Sequence, residues 1–227
     1  MRELTELSPL KVLERSRRGE LGKGNLGVLI AGAGLGKTSC LVHIAFDSLV
    51  RGEKLIHVSL RDSPEKIASY YEMAFTNLTS AHQLEEEGAV RDLMERNRII
   101  LAYLKESFGL DRLRKNLENF TKEIHFKPDT LIVDGVDFTE AGKDFFDELK
   151  ELAEIFEMEI WLSALSTEAE AGTIPCLYRG LADAFSVIVL LISSHEGVFL
   201  RLLRDHERAS VADTAVRLDP NTFLAVE

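Results

Sequence analysis

The chain has 227 residues, 45% of them hydrophobic and 29% charged, which is enough for a full core and ordinary for a folded globular protein. Its net charge of −11 excludes a standing basic footprint for nucleic acid, though a local basic channel stays open. Cys40 and Cys176 stand outside any CxxC spacing, so neither a disulfide framework nor a zinc site is expected.

The N-terminal Met-Arg-Glu-Leu-Thr-Glu is too charged for a signal peptide, and no apolar run approaches membrane-spanning length. A cytoplasmic protein with no membrane partner is expected. Ser8 to Arg17 reads as a short helix, and Arg18 to Gly24 as a glycine-punctuated lead-in. Leu26–Ile30 is an apolar strand that runs into Ala31-Gly-Ala-Gly-Leu-Gly-Lys37-Thr38. Leu41, Ile44, Ala45 and Leu49 then give helical spacing to about Val50, with Gly52 placed as the cap.

Strand, glycine-rich loop and helix together form the context of a Walker A phosphate loop. Glycines let successive N–H groups turn around an anion, and the helix N-terminus adds partial positive charge. The expected cofactors are ATP and Mg²⁺. Ala33, Gly34, Leu35, Gly36, Lys37, Thr38 and Ser39 are predicted to cradle the phosphates. Lys37 is predicted to reach the β- and γ-phosphates and Thr38 to offer its hydroxyl to Mg²⁺. Ala31 replaces the usual first glycine, a tolerable change where φ stays negative. His43 and Cys40 on the following helix read as structural.

Leu55–Leu60 is a second strand, and Ser63-Pro64 caps and opens a helix through Phe75. Residues 77 to 96 are polar and acidic, with Glu85-Glu86-Glu87, and read as a solvated face or loop. Asn97–Tyr103 is a strand, Leu110–Glu123 a helix, and Thr130-Leu-Ile-Val-Asp134 a strand ending in an acid. Thr139 to Phe156 is helical, with Phe145, Phe146, Leu149, Leu152, Ala153 and Phe156 on one face. Glu159–Ser163 is strand five. Phe185–Ile192 and Val198–Leu203 form a hairpin around Ser-Ser-His-Glu-Gly, and Ala215–Leu218 and Phe223–Val226 are closing strands.

This alternation predicts an α/β fold with a mostly parallel sheet and a C-terminal antiparallel β extension. One domain over 1–227 is expected: lead-in 1–24, α/β core 25–163, hairpin and final strands 164–227.

Asp134 has the form of a Walker B acid. At the carboxyl end of its strand it faces the usual ligand crevice and can hold the metal through water. Gly135 follows it, so no second acid stands beside it. Hydrolysis also needs a carboxylate to orient water. Asp62, in the Arg61-Asp62 pair after strand two, reads either as that base or as a residue at a helix start. Asp137, with Thr139 close by, reads more readily as a cap.

In this order along the chain the segments resemble the RecA-like P-loop ATPase superfamily, specifically its KaiC-like branch. The residues concerned are the phosphate loop, Arg51–Leu60 with Ser63-Pro-Glu-Lys-Ile67, Leu181-Ala-Asp183, His206-Glu-Arg208-Ala-Ser210 and the ending Arg217 to Val226. The resemblance covers roughly residues 8 to 227, with 77 to 125 alike only in outline. It implies a RecA-like P-loop NTPase core in a homo-oligomer, with a hexamer as one form. It also implies a catalytic trio of Lys37, Asp62 and Arg208, the last as a finger reaching the neighbouring subunit's nucleotide or as an ordinary surface arginine. It places Ser163 where a γ-phosphate sensor or a strand-terminal turn residue stands, and Ser166 to Gly172 where a pore loop lies.

Three departures accompany it. Arg61-Asp62 stands where the branch carries two glutamates, His206 replaces a lysine, and the phosphate loop lacks the branch's proline and threonine. The expectation is a slow Mg-dependent ATPase acting as an oligomeric switch or motor, with a protein partner regulated by nucleotide state. The alternatives are a non-hydrolysing nucleotide sensor or assembly module, and a DNA recombination or repair ATPase. The acidic 166–172 segment, without a basic residue, disfavours the last.

Overall fold

The computed structural model describes residues 21–82, 87–166, 174, 175, 178, 180–206, 208, 209 and 215–226, the side chains of 81, 82, 208 and 209 excepted. The predicted Ser8–Arg17 helix, the 167–172 part of the expected pore loop, and Cys176 lie outside the described residues.

Ten strands form one sheet among the described residues: β1 Leu26–Ala31, β2 Leu55–Ser59, β3 Arg98–Ala102, β4 Thr130–Asp134, β5 Glu159–Leu165, β6 Val187–Ser194, β7 Gly197–Asp205, β8 Arg208–Ala209, β9 Ala215–Leu218 and β10 Ala225–Val226. Their order is β10-β9-β7-β6-β1-β5-β4-β2-β3, with β8 paired to β7. From β6 through β3 every pairing is parallel. From β7 outward every pairing is antiparallel. The fold is therefore α/β with a mostly parallel sheet and a C-terminal antiparallel region.

The central strands β1, β2 and β4 are buried along their whole length, as strands covered on both faces must be. Helices α1 Lys37–Val50, α2 Pro64–His82 and α3 Glu87–Arg96 cover one face. Helices α4 Leu110–Glu123 and α5 Lys143–Phe156 cover the other. Phe146, Leu149, Leu152, Ala153 and Phe156 are the buried stripe of α5, with Phe145 half-buried beside it. Gly27 in β1 pairs with Trp161 in β5, and a Cβ there would lie 2.7 Å from the indole. That close approach explains a glycine in a central strand.

Several element ends shift by a residue or two, and three differences from the sequence reading have a clear physical cause. The segment 77–96 is helical except for residues 83–86, which are outside the description. Leu78 and Thr79 extend α2 into the core, and Val90 and Met94, one turn apart, bury α3 against it. Arg91 pairs with Glu72, and its guanidinium lies 4.5 Å from the Phe75 ring centre. Apolar anchors at helical spacing outweigh the acidic composition. Helix α5 starts at Lys143 rather than Thr139, because Asp137 accepts from the Thr139 N–H and hydroxyl and so closes a separate turn. The last strand shrinks to Ala225–Val226, because Phe223 is left-handed, with φ of 57°.

No helix among the described residues is long and apolar enough to cross a membrane.

Two buried histidines set a pH response. His43 on α1 is 3% exposed and its Nε2 lies 2.8 Å from the Thr222 carbonyl. His57 on β2 is fully buried and shares a 3.0 Å hydrogen bond with the Tyr71 hydroxyl. Burial lowers each pKa to about 4 from the ordinary 6.5. The unfolded chain therefore binds more protons across that window, so stability is complete above about pH 6.5 and is lost as pH falls toward 4. Between about pH 7 and about pH 5 the loss is about 2 kcal/mol per histidine. His43→Gln keeps an N–H for the Thr222 carbonyl but has nothing to titrate. In urea denaturation this variant is expected to lose about 2 kcal/mol less than wild type between those pH values, wherever Glu159, whose carboxyl pKa burial raises to about 7, sets the total; an equal loss contradicts the assignment.

Candidate functional site

Parallel pairing brings the carboxyl ends of β1, β2, β4 and β5 to one edge of the sheet. The glycine loop leaves β1 there, Arg61-Asp62 leaves β2, and Asp134 and Ser163 stand at or near the ends of β4 and β5. The edge is cross-tied: the Leu60 N–H donates to the Asp134 carbonyl at 2.9 Å, and the Ser166 N–H to the Ala31 carbonyl at 2.9 Å. Strand β5 separates β1 from β4, so Thr38 must span from the start of α1 to meet Asp134.

An open pocket of about 450 Å³ occupies this edge. Gly34, Gly36, Lys37, Thr38 and Ser39 form one wall. Arg61, Asp62, Tyr70 and Asp134 complete the pocket lining. Of the predicted cradle, Ala33 and Leu35 do not line the pocket. Ala33 is exposed, and Leu35 packs against the core.

Gly34 and Gly36 have φ of 73° and 84°, conformations that suit glycine and turn the loop inward. Helix α1 then begins at Lys37 with no side-chain cap, so its first N–H groups face the pocket without an internal partner. Lys37 Nζ donates to the Gly32 carbonyl at 3.0 Å. Burial lowers its pKa from the ordinary value; Asp134 opposes that shift and Arg61 adds to it.

Asp134 is 7% exposed and its carboxylate is held from two sides. The Thr38 hydroxyl donates to Oδ2 at 2.6 Å. The Ser163 hydroxyl donates to Oδ1, and its own oxygen accepts the Gly135 N–H at 3.0 Å. Ser163 is 2% exposed and outside the pocket wall, so in this arrangement it positions Asp134.

Thr38 and Asp134 are two hard oxygen donors within hydrogen-bond distance, a set suited to Mg²⁺, which keeps most of its other ligands as water or phosphate. No cluster of three or more His, Cys, Asp or Glu with metal-holding geometry occurs among the described residues.

Asp62 reaches the pocket, but its Oδ1 accepts from Lys66 Nζ at 2.7 Å, one helical turn on. Its N–H, and more loosely that of Arg61, is anchored on Ser59 Oγ. Asp137 is engaged in its turn and with Lys105 at 3.3 Å. Arg208 falls in the two-residue strand β8; its side chain is outside the description.

The sequence reading missed Tyr70 and Phe223. Tyr70 is carried to the pocket by α2, two turns after Ser63, and nothing marks it in sequence. Phe223 lies against the loop itself: a Cβ on Gly36 would fall 2.0 Å from its Cζ. A turn built on Asp219, which accepts the N–H groups of Asn221 and Thr222, delivers that ring. Asp219-Pro-Asn is a readable turn signal, but its target is not.

No protein-family model matches the chain, and comparison with curated proteins gives no match.

Ser163→Ala removes one donor to a buried carboxylate and leaves the Gly135 N–H without its acceptor. A loss of about 1–3 kcal/mol in urea denaturation is expected; a change below about 0.5 kcal/mol contradicts the positioning role.

Proposed function

We propose that the chain binds Mg·ATP at this pocket as a RecA-like, KaiC-like P-loop protein. The observation that carries the reading is the Thr38–Asp134 contact at the mouth of a left-handed glycine loop. Two motifs nearly a hundred residues apart meet with the chemistry that a phosphate-bound Mg²⁺ requires. The uncapped start of α1 supplies N–H donors for the phosphates, and Lys37, resting on the Gly32 carbonyl, supplies a cation for their outer oxygens. Assembly into a homo-oligomer, with Arg208 offered to a neighbour and a protein partner responding to nucleotide state, belongs to the same proposal.

Hydrolysis in this reading is slow. Asp62 is the carboxylate available to orient water at the end of β2, and its pairing with Lys66 draws charge away from that task. The same pairing favours a second reading, a sensor that binds nucleotide without turning it over.

Calorimetric titration with Mg·ATP, together with phosphate release, tests both. Lys37→Ala is expected to weaken Mg·ATP at least about tenfold, and removal of Mg²⁺ by EDTA to weaken ATP in wild type. Asp62→Ala is expected to abolish turnover while affinity stays within about twofold. Turnover unchanged by Asp62→Ala overturns the role of this residue. Absence of both turnover and any Asp62 effect supports the sensor. Absence of ATP binding by wild type overturns the proposal.

A further inference from the structure

Arg61 extends the nucleotide reading, on which this inference rests. The residue follows β2 and is exposed at the pocket wall. Its aliphatic stem lies across Gly135, the residue after Asp134. A Cβ on Gly135 would come within 2.6 Å of Arg61 Cγ and 2.9 Å of Cδ. Gly135 also has φ of 94°, so glycine is required there twice, by conformation and by the arginine stem. An exposed arginine ordinarily loses considerable rotamer freedom when fixed. Here the seat on Gly135 holds its stem at the wall.

The guanidinium has no carboxylate at ion-pair distance among the described residues. Its neighbour Asp62 is paired with Lys66, and Asp134 is held by Thr38 and Ser163. Arg61 and a second cation, Lys37, line the same pocket. Two cations lining one pocket repel each other until an anion comes between them.

Position along the sheet indicates which part of the anion arrives there. The loop leaves β1 and Arg61 leaves β2, three strand spacings away, about 14 Å. A phosphate chain that starts on the glycine loop and passes Lys37 approaches Arg61 with its last member. Planar guanidinium groups bind phosphate oxygens in pairs, which suits a terminal phosphate better than a bridging one.

We propose that Arg61 reads the terminal phosphate of the bound nucleotide, a guanidinium supplied by the same chain that makes the pocket prefer a nucleoside triphosphate to the diphosphate. The basic residue of the Arg61-Asp62 pair thereby becomes the element that distinguishes the two nucleotide states.

The test is calorimetric titration of Mg·ADP and of Mg²⁺ with a non-hydrolysable ATP analogue into wild type, Arg61→Met and Arg61→Lys. Methionine keeps an unbranched stem over Gly135 and removes the charge; lysine keeps charge without the fork. Wild type is expected to bind the triphosphate about tenfold or more tightly than the diphosphate. Arg61→Met is expected to lose most of that ratio by weakening the triphosphate alone, and Arg61→Lys to keep part of it. An unchanged ratio in Arg61→Met, with both nucleotides bound, overturns the role of Arg61 and leaves nucleotide binding standing. Failure of wild type to bind either nucleotide overturns both.

Discussion

A carboxylate buried at the end of a strand is stable only when its oxygens are hydrogen-bonded, and Asp134 meets that demand through elements from both sides of it in the chain. Thr38 comes from the first turn of α1, and Ser163 comes from β5. Because β5 lies between β1 and β4, these two hydroxyls tie the glycine loop, the strand beside it and the strand beyond into one unit. Ser163 also takes the Gly135 N–H, which fixes the chain where it turns away under Arg61. Loss of the Asp134 hydrogen bonds would loosen the start of α1 and the turn at Gly135 together.

The loop is also braced from the far end of the chain. The turn beginning at Asp219 lays Phe223 on Gly36, while His43, on the first turns of α1, meets the Thr222 carbonyl. The same turn leads into β10, the strand at the edge of the antiparallel region. The glycine loop and the C-terminal edge are thus packed as neighbours. Movement at one requires accommodation at the other, because packed interiors deform little.

Much of the framework was legible because its signals are local. Continuous apolar runs marked β1, β2 and β4, and the glycine loop after β1 marked the start of α1. Gly52, with φ of 83°, ends α1 where the sequence placed its cap. In the acidic 77–96 stretch the charge count points to solvent, whereas Val90 and Met94, at helical spacing, set a buried face. Of the pocket lining, Lys37 and Thr38 were legible from the glycine-rich loop, and Asp62 and Asp134 from their places at strand ends. Tyr70, Phe223 and the stem of Arg61 were not, since each acts through a contact between segments distant in sequence. The engagement of Asp62 by Lys66 lies one helical turn away, yet sequence alone does not say which of its basic neighbours it pairs with.

On the proposed nucleotide reading, the site combines anion-binding features with weakly provided hydrolytic ones. Backbone donors, Lys37, Arg61 and the Thr38–Asp134 pair all favour a bound phosphate chain, whereas the carboxylate available to orient water is shared with a lysine. The most direct test is a crystal structure of the protein with Mg²⁺ and a non-hydrolysable ATP analogue. The expected result is a triphosphate along the N–H groups of residues 34–39, with the metal parting Thr38 from Asp134. A nucleotide bound elsewhere, or a Thr38–Asp134 bond left intact beside an empty pocket, would contradict the assignment.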